Sequence, residues 1–275
     1  DIFTRRNLVV LDNIIEIINT YPPTMRNVLN YILMSIIHLT KITDKHSNSQ
    51  WPLWIPRIDC VEKNVIDVLK RKSKNFNKTV SYVQKNYYKG SIVNSYSELT
   101  NNKCMLINKG SQNITTEELP DNSVSLIITD PPYLEQVMYS EYMQLYKPFI
   151  NLDYNLEDEI VVSSSPSRNK DKAEYFELLD EVFSLCADKL KDGGYMCLYF
   201  HDSNLDVWHQ LISILEKNGF KYVSQTHIKK TKTLKNIISP KKSLNGDAIL
   251  FFIKTNGKVS NTQAPENIEE IEMNI

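Results

Sequence analysis

Residues 124–133 read Val-Ser-Leu-Ile-Ile-Thr-Asp-Pro-Pro-Tyr, an apolar run halted by two prolines. The run has the length of a buried strand and is too short for a core helix. Neither Pro131 nor Pro132 can donate a ladder hydrogen bond, so strand pairing has to end at Asp130. The chain leaves the strand through a stiff corner that holds a carboxylate, free main-chain carbonyls and the ring of Tyr133. In an open α/β sheet, ligands bind outside the carboxyl ends of strands. The corner is therefore the first place to look for chemistry.

Beyond it, helical and strand periods alternate. Helices are expected near 138–150, 171–191 and 204–218, and strands at 195–200, 220–228 and 247–254. Such alternation implies a largely parallel, doubly wound sheet. Upstream the periods are helical. Leu8, Leu11, Ile14, Ile15 and Ile18 mark one helix, and Pro22 and Pro23 open a second that runs to about Ile42. A third, 61–87, sets Val61, Val65, Val68 and Leu69 against a lysine-rich side. Residues 44–60 read as irregular, and Cys104–Ile107 as a short strand. The chain divides into a helical segment, 1–95, packed on or inserted in a sheet domain, 96–256, and a disordered acidic tail, 257–275.

The net charge of −1 excludes a uniformly basic surface but hides segregation. Lys217 to Gly246 hold eight lysines and no acid, and between Lys63 and Lys89 the only acid is Asp67. Local basic stretches of this kind set contacts with phosphates. Cys60, Cys104, Cys186 and Cys197 form no Cys-x-x-Cys pair, and the histidines show no ligand spacing, so no metal is expected. Cys104 and Cys197 lie in apolar runs and read as small core residues. No apolar run is long enough to cross a bilayer, which with the scattered thiols points to a cytoplasmic setting.

Asp130-Pro131-Pro132-Tyr133 resembles the catalytic motif of S-adenosylmethionine-dependent amino (N6-adenine/N4-cytosine) DNA methyltransferases. The likeness continues through Tyr139-Ser140-Glu141-Tyr142, then Leu190-Lys191-Asp192-Gly193-Gly194-Tyr195 leading into Met196 to His201. Trp208, Asn218-Gly219-Phe220 and the early Phe3-Thr4-Arg5-Arg6-Asn7-Leu8 complete it. In this order the chain is similar to bacterial adenine-specific DNA methylases. The resemblance implies a Rossmann-like methyltransferase sheet, partly parallel with its last strand antiparallel, incomplete at its N-terminal strands. It also implies S-adenosyl-L-methionine as cofactor and DNA as partner. Phe3, Thr4, Arg6 and Asp130 would face the cofactor. Tyr133, Glu141 and His201 would meet the target base, and Lys229, Lys230 and Lys232 the phosphates.

The corner suits that chemistry. An amino nitrogen conjugated with a ring is a poor nucleophile, because its lone pair is delocalised. Two acceptors, Asp130 Oδ and the Pro131 carbonyl, would take both N–H hydrogens and favour a tetrahedral nitrogen. They would also stabilise the positive charge that grows on it. Tyr133 would stack on a base swung out of the duplex. Asp rather than Ser at the first motif position resembles the adenine enzymes.

One departure stands out. The family's glycine-rich cofactor turn is absent: the seven glycines, at 90, 110, 193, 194, 219, 246 and 257, never form Gly-x-Gly. The expectation is a C-terminal part of a longer polypeptide, or half of a split enzyme, inactive alone. A missing N-terminal region or another chain would then supply the loop. Two other readings stay open, a cofactor-deficient DNA-binding or specificity subunit and an RNA or protein-amide methyltransferase.

Overall fold

The structure, a computed structural model, describes residues 2–44, 60–86, 90–150, 154–202, 204–229 and 246–255. The chain forms two units, one of residues 1–91 with 138–156 and one of 92–137 with 157–275. The acidic tail, residues 45–59 and most of the lysine-rich loop lie outside the described residues. No helix among those described is long and apolar enough to cross a membrane.

The first unit is helical. α1 (Arg5–Asn19) begins where extended Thr4 accepts the Asn7 amide at 3.2 Å, satisfying a donor that the first turn leaves open. α2 (Pro23–Thr40) starts on a proline, whose fixed φ suits a first helical position. With α3 (Val65–Asn86) and α4 (Tyr139–Tyr146) they bury Leu11, Ile18, Leu33, Ile36, Ile37, Val68 and Leu145. Buried Asn7 ties the unit together, its amide donating to the Thr40 and Lys63 carbonyls at 2.9 and 3.0 Å. β1 (Thr43–Asp44) and β2 (Cys60–Val61) add a short antiparallel ladder.

The second unit carries the sheet. After a small pair, β3 (Ser91–Val93) and β4 (Lys103–Met105), come β5 (Val124–Thr129), α5 (Lys172–Lys189) and β6 (Leu190–Phe200). α6 (Leu205–Lys217), β7 (Phe220–Lys229) and β8 (Gly246–Lys254) follow. The sheet order is β5-β6-β8-β7, with β5 parallel to β6 and β8 antiparallel to both neighbours. This is the partly parallel, Rossmann-like α/β architecture that the resemblance implies, with the last strand reversed. The largely parallel sheet expected from alternation is corrected, since only β5–β6 of this sheet's three described pairings is parallel.

α5 and α6 cover one face. Tyr175, Leu179 and Phe183 from α5 and Trp208, Leu211 and Leu215 from α6 pack on Met196, Leu198, Phe200, Leu250 and Phe252. α5 owes its start to a capping box, in which Asp171 accepts the Ala173 and Glu174 amides and Glu174 accepts that of Asp171. At its other end Lys189 pairs with Asp121 at 2.6 Å, while the Asn122 and Ser123 amides donate to the Asp188 and Lys189 carbonyls. These contacts set β5 beside β6.

The β5–β6 register jumps between Val124↔Leu190 and Leu126↔Tyr195, so β6 loops out at Gly193-Gly194. Gly193 sits at φ +73°, and a Cβ on Gly194 would lie 2.8 Å from the Lys191 carbonyl, which is why both positions need glycine.

Two further expectations are corrected. β5 reads as a buried strand, yet Leu126 is 53 % and Ile128 67 % exposed. Within the sheet unit α5 and α6 pack on the face opposite these two side chains, and among the described residues β5 is an edge strand. Cys104, read as a core residue, is exposed because β4 belongs to the small pair and not to the main sheet; Cys197 is buried.

Candidate active site

β5 ends at Thr129, and the double proline then turns the chain. Asp130 is exposed, Pro131 buried, and Pro132 and Tyr133 partly buried. The Tyr133 hydroxyl donates to Asp130 Oδ1. Oδ2 of Asp130 and the Pro131 carbonyl have no hydrogen-bond partner among the described residues. The two acceptors expected at the corner are thus uncommitted among the described residues.

Several neighbours hold the corner in shape. Tyr175, fully buried on α5, donates its hydroxyl to the Pro132 carbonyl at 2.6 Å. Burial pushes the Tyr175 phenol up to about 12, a hydrogen bond with the Leu134 backbone opposes this, and nearby Asp202 adds to it. Tyr175 therefore stays a neutral donor across the physiological range. Leu134 follows at φ +46°, a left-handed conformation that a leucine adopts only at a cost of about 1–2 kcal/mol. Its carbonyl accepts the Val162 amide at 3.1 Å, and the Gln136 amide closes a turn onto the Tyr133 carbonyl at 2.9 Å.

The end of β6 reaches the same place, as parallel pairing of Thr129 with Leu198 requires. The Tyr133 ring meets Phe200 edge-on at 5.4 Å and lies 6.3 Å from the His201 ring. Phe200 in turn packs edge-on against Trp208 at 4.9 Å. Asp202 is committed to structure: its Oδ1 accepts the Asn204 amide at 2.7 Å and its carbonyl accepts the Trp208 indole at 3.0 Å.

Of the residues singled out in the sequence, Asp130, Pro131, Pro132, Tyr133 and His201 come together in the sheet unit. Phe3, Thr4, Arg6 and Glu141 belong to the helical unit. There Phe3 is buried edge-on to Phe149 at 5.3 Å, and Thr4 and Arg6 both bind the Glu62 carboxylate. Glu141 is half-buried in the first turn of α4. Of Lys229 only the backbone, paired with Gly246, is described; Lys230 and Lys232 lie outside the described residues. Tyr175 and Leu134 were not visible in the sequence as site residues.

None of the curated proteins compared matches the chain. Among solved structures, the "Putative DNA Modification Methylase" of Thermus thermophilus, complexed with S-adenosyl-L-methionine, is 14 % identical with a TM-score of 0.35. That match covers 64 % of this chain and 59 % of the other. The antibiotic-resistance methyltransferase Kmr is 12 % identical, with a TM-score of 0.27 over 57 % of this chain and 63 % of its own. Both likenesses are remote, and the chain spans less than two thirds of either protein. A family model described as DNA methylase matches residues 124–273, from the first residue of β5 onward and more than half of the sequence. On that match, with Asp130-Pro131-Pro132-Tyr133 at its head, the chain belongs to the N6_N4_Mtase family of DNA methylases.

Proposed function

We propose that the chain is the catalytic part of an enzyme that methylates an exocyclic amino group of DNA, adenine N6 in particular. The observation that carries this is the uncommitted acceptor pair, Asp130 Oδ2 and the Pro131 carbonyl, at the end of β5 in a member of the DNA methylase family. Asp130 accepts one N–H of the target amino group and Pro131 the other, drawing the nitrogen toward tetrahedral geometry. The carboxylate then offsets the positive charge developing there, and after transfer one N–H proton leaves to water. Electrostatic stabilisation of this kind is worth roughly 3–4 kcal/mol per well-placed group. Tyr133 stacks on the extruded base, with His201 beside it. Lys229, Lys230 and Lys232 grip phosphates.

S-adenosyl-L-methionine supplies the methyl group. The residues present fit its reacting end and not its cradle, since the chain has no Gly-x-Gly whose amides could approach it closely. We assign the cradle to a segment that pairs with the outer edge of β5 and covers Leu126 and Ile128, either elsewhere in the same polypeptide or on another chain. The exposure of those two side chains on an edge strand supports this. Phe3, Thr4 and Arg6 stay outside the proposal, each being engaged within the helical unit.

The test is incubation of the full-length protein with labelled S-adenosyl-L-methionine and duplex DNA, followed by digestion to nucleosides. N6-methyladenine is the expected product; label in cytosine would correct the base, and label in RNA or protein alone would overturn the reading. The missing glycine turn favours one rival, a DNA-binding subunit without cofactor. Calorimetry showing DNA binding but no S-adenosyl-L-methionine binding would select it.

A further inference from the structure

α3 carries a feature that methyl transfer does not use. Residues 68–86 contain six basic side chains and no acid, in a protein whose net charge is −1. At 100° per residue, Lys70, Lys74, Lys85, Lys78 and Arg71 fall within an arc of about 100°. All five are exposed, and none forms an ion pair among the described residues. Ser81 lies within the arc, its hydroxyl donating to the Asn77 carbonyl at 2.9 Å, and Tyr82, 59 % exposed, lies at its margin. Asp67, the single acid of the helix, sits in its first turn, where the helix dipole favours it.

The opposite arc faces the helical core. Val65 and Val68 are buried there, and Phe76 meets Tyr31 at 5.8 Å. The sixth cation, Lys72, lies on this inner side, near enough to His38 to help hold the imidazole pKa below its usual value, though burial is the larger cause. The core thus fixes the rotation of α3, and the five-cation stripe is held outward. From Lys70 to Lys85 it runs about 22 Å, the axial length of roughly six base pairs.

The geometry points to α3 as a second contact with duplex DNA, a phosphate-backbone rail that binds without reading sequence; this rests on DNA being the substrate. A row of cations held outward on one helix face is suited to phosphate oxygens. Such contacts release counterions, so binding should weaken with salt at a log–log slope of about −0.9 per phosphate engaged.

The test compares the full-length protein with a variant carrying Gln at Lys70, Arg71, Lys74, Lys78 and Lys85. Binding to a labelled random-sequence DNA duplex is followed by anisotropy across a salt series, and methylation is measured in parallel. The variant should bind at least tenfold more weakly at low salt, with its slope reduced by about 3. Its KM for DNA should rise while kcat at saturating DNA stays within twofold. If the five-fold variant does not fold, Lys74→Gln with Lys78→Gln should still reduce the slope by about 1–2. An unchanged slope in a folded variant, with wild-type protein still methylating DNA, overturns the assignment to α3 alone. Wild-type protein that neither methylates nor binds duplex DNA removes the functional reading as well. Loss of binding confined to an RNA duplex would transfer the rail to the other nucleic acid and refute the inference.

Discussion

Tyr175→Phe removes one oxygen atom and separates the corner from its support. The ring is fully buried and Phe keeps nearly all its volume, so the packing of α5 on the sheet survives. What disappears is the 2.6 Å hydrogen bond to the Pro132 carbonyl, leaving a shielded acceptor without its donor. Such a loss costs about 1–3 kcal/mol, or a fall in melting temperature of roughly 3–8 °C. The pH dependence adds a signature. The phenol is raised from 10.0 to about 12, so its contribution is fully present below pH 10 and is lost as pH rises from 10 to 12. Wild type should therefore lose its advantage over the variant across that interval, by roughly 2–3 kcal/mol. Freed from Tyr175, the Pro132–Tyr133 peptide can turn and carry the adjoining Pro131 carbonyl away from the target nitrogen. A displacement near 1 Å costs about a hundredfold, so kcat should drop by about ten- to a hundredfold with KM little changed. Thermal unfolding at several pH values and methyl-transfer kinetics read the two effects separately. A variant that is less stable but keeps kcat within twofold of wild type would show that Tyr175 only fills the core. A stability gap that persists at pH 12 would refute its assignment as a buried, neutral donor.

Phe200→Ala deletes the ring between Tyr133 and Trp208 and should cost about 3–5 kcal/mol in urea unfolding; a loss under 1 kcal/mol would mean the ring is not part of the core. Asp121→Ala leaves the buried Lys189 ammonium without its carboxylate. Because Asp121 is itself half exposed, we expect about 1–3 kcal/mol, less than for a fully buried pair, and an unchanged midpoint would contradict it. With a thiol reagent at pH 8, Cys60 and Cys104 should react promptly. Burial lifts Cys186 to about 11 and raises Cys197 too, so these two should wait for denaturant. Four equally fast thiols would be inconsistent with the fold.

The local rules written into the sequence were readable. Two prolines stop β5 where they must, and the helical period over 171–191 marks α5, whereas the bulge at Gly193-Gly194 and the Asp171–Glu174 capping box emerge from the structure. Alternation of strands and helices was enough for an α/β sheet but not for its reversed last strand, which only the family resemblance implied, and a motif adjacent to a strand end was enough for the corner. Facts that depend on which elements meet were not readable. Apolar Leu126 and Ile128 look like core until β5 is seen at the sheet edge among the described residues, with both side chains exposed. Tyr175 is one aromatic among many in a helical run, and only the packing of α5 brings it to Pro132, forty-three positions away. Leu134 carries no sign of its left-handed backbone, because leucine does not favour one; the corner and the Val162 amide impose it. The basic side of α3 was evident from composition, whereas its outward rotation follows from Val65, Val68 and Phe76.

The most direct trial of the whole account is Asp130→Ala in the full-length protein, assayed for labelled methyl transfer to duplex DNA alongside calorimetric titration with S-adenosyl-L-methionine. The variant should lose transfer by a hundredfold or more while the cofactor still binds within a few-fold of wild type. Undiminished transfer would mean that the carboxylate at the end of β5 does not act on the amino nitrogen.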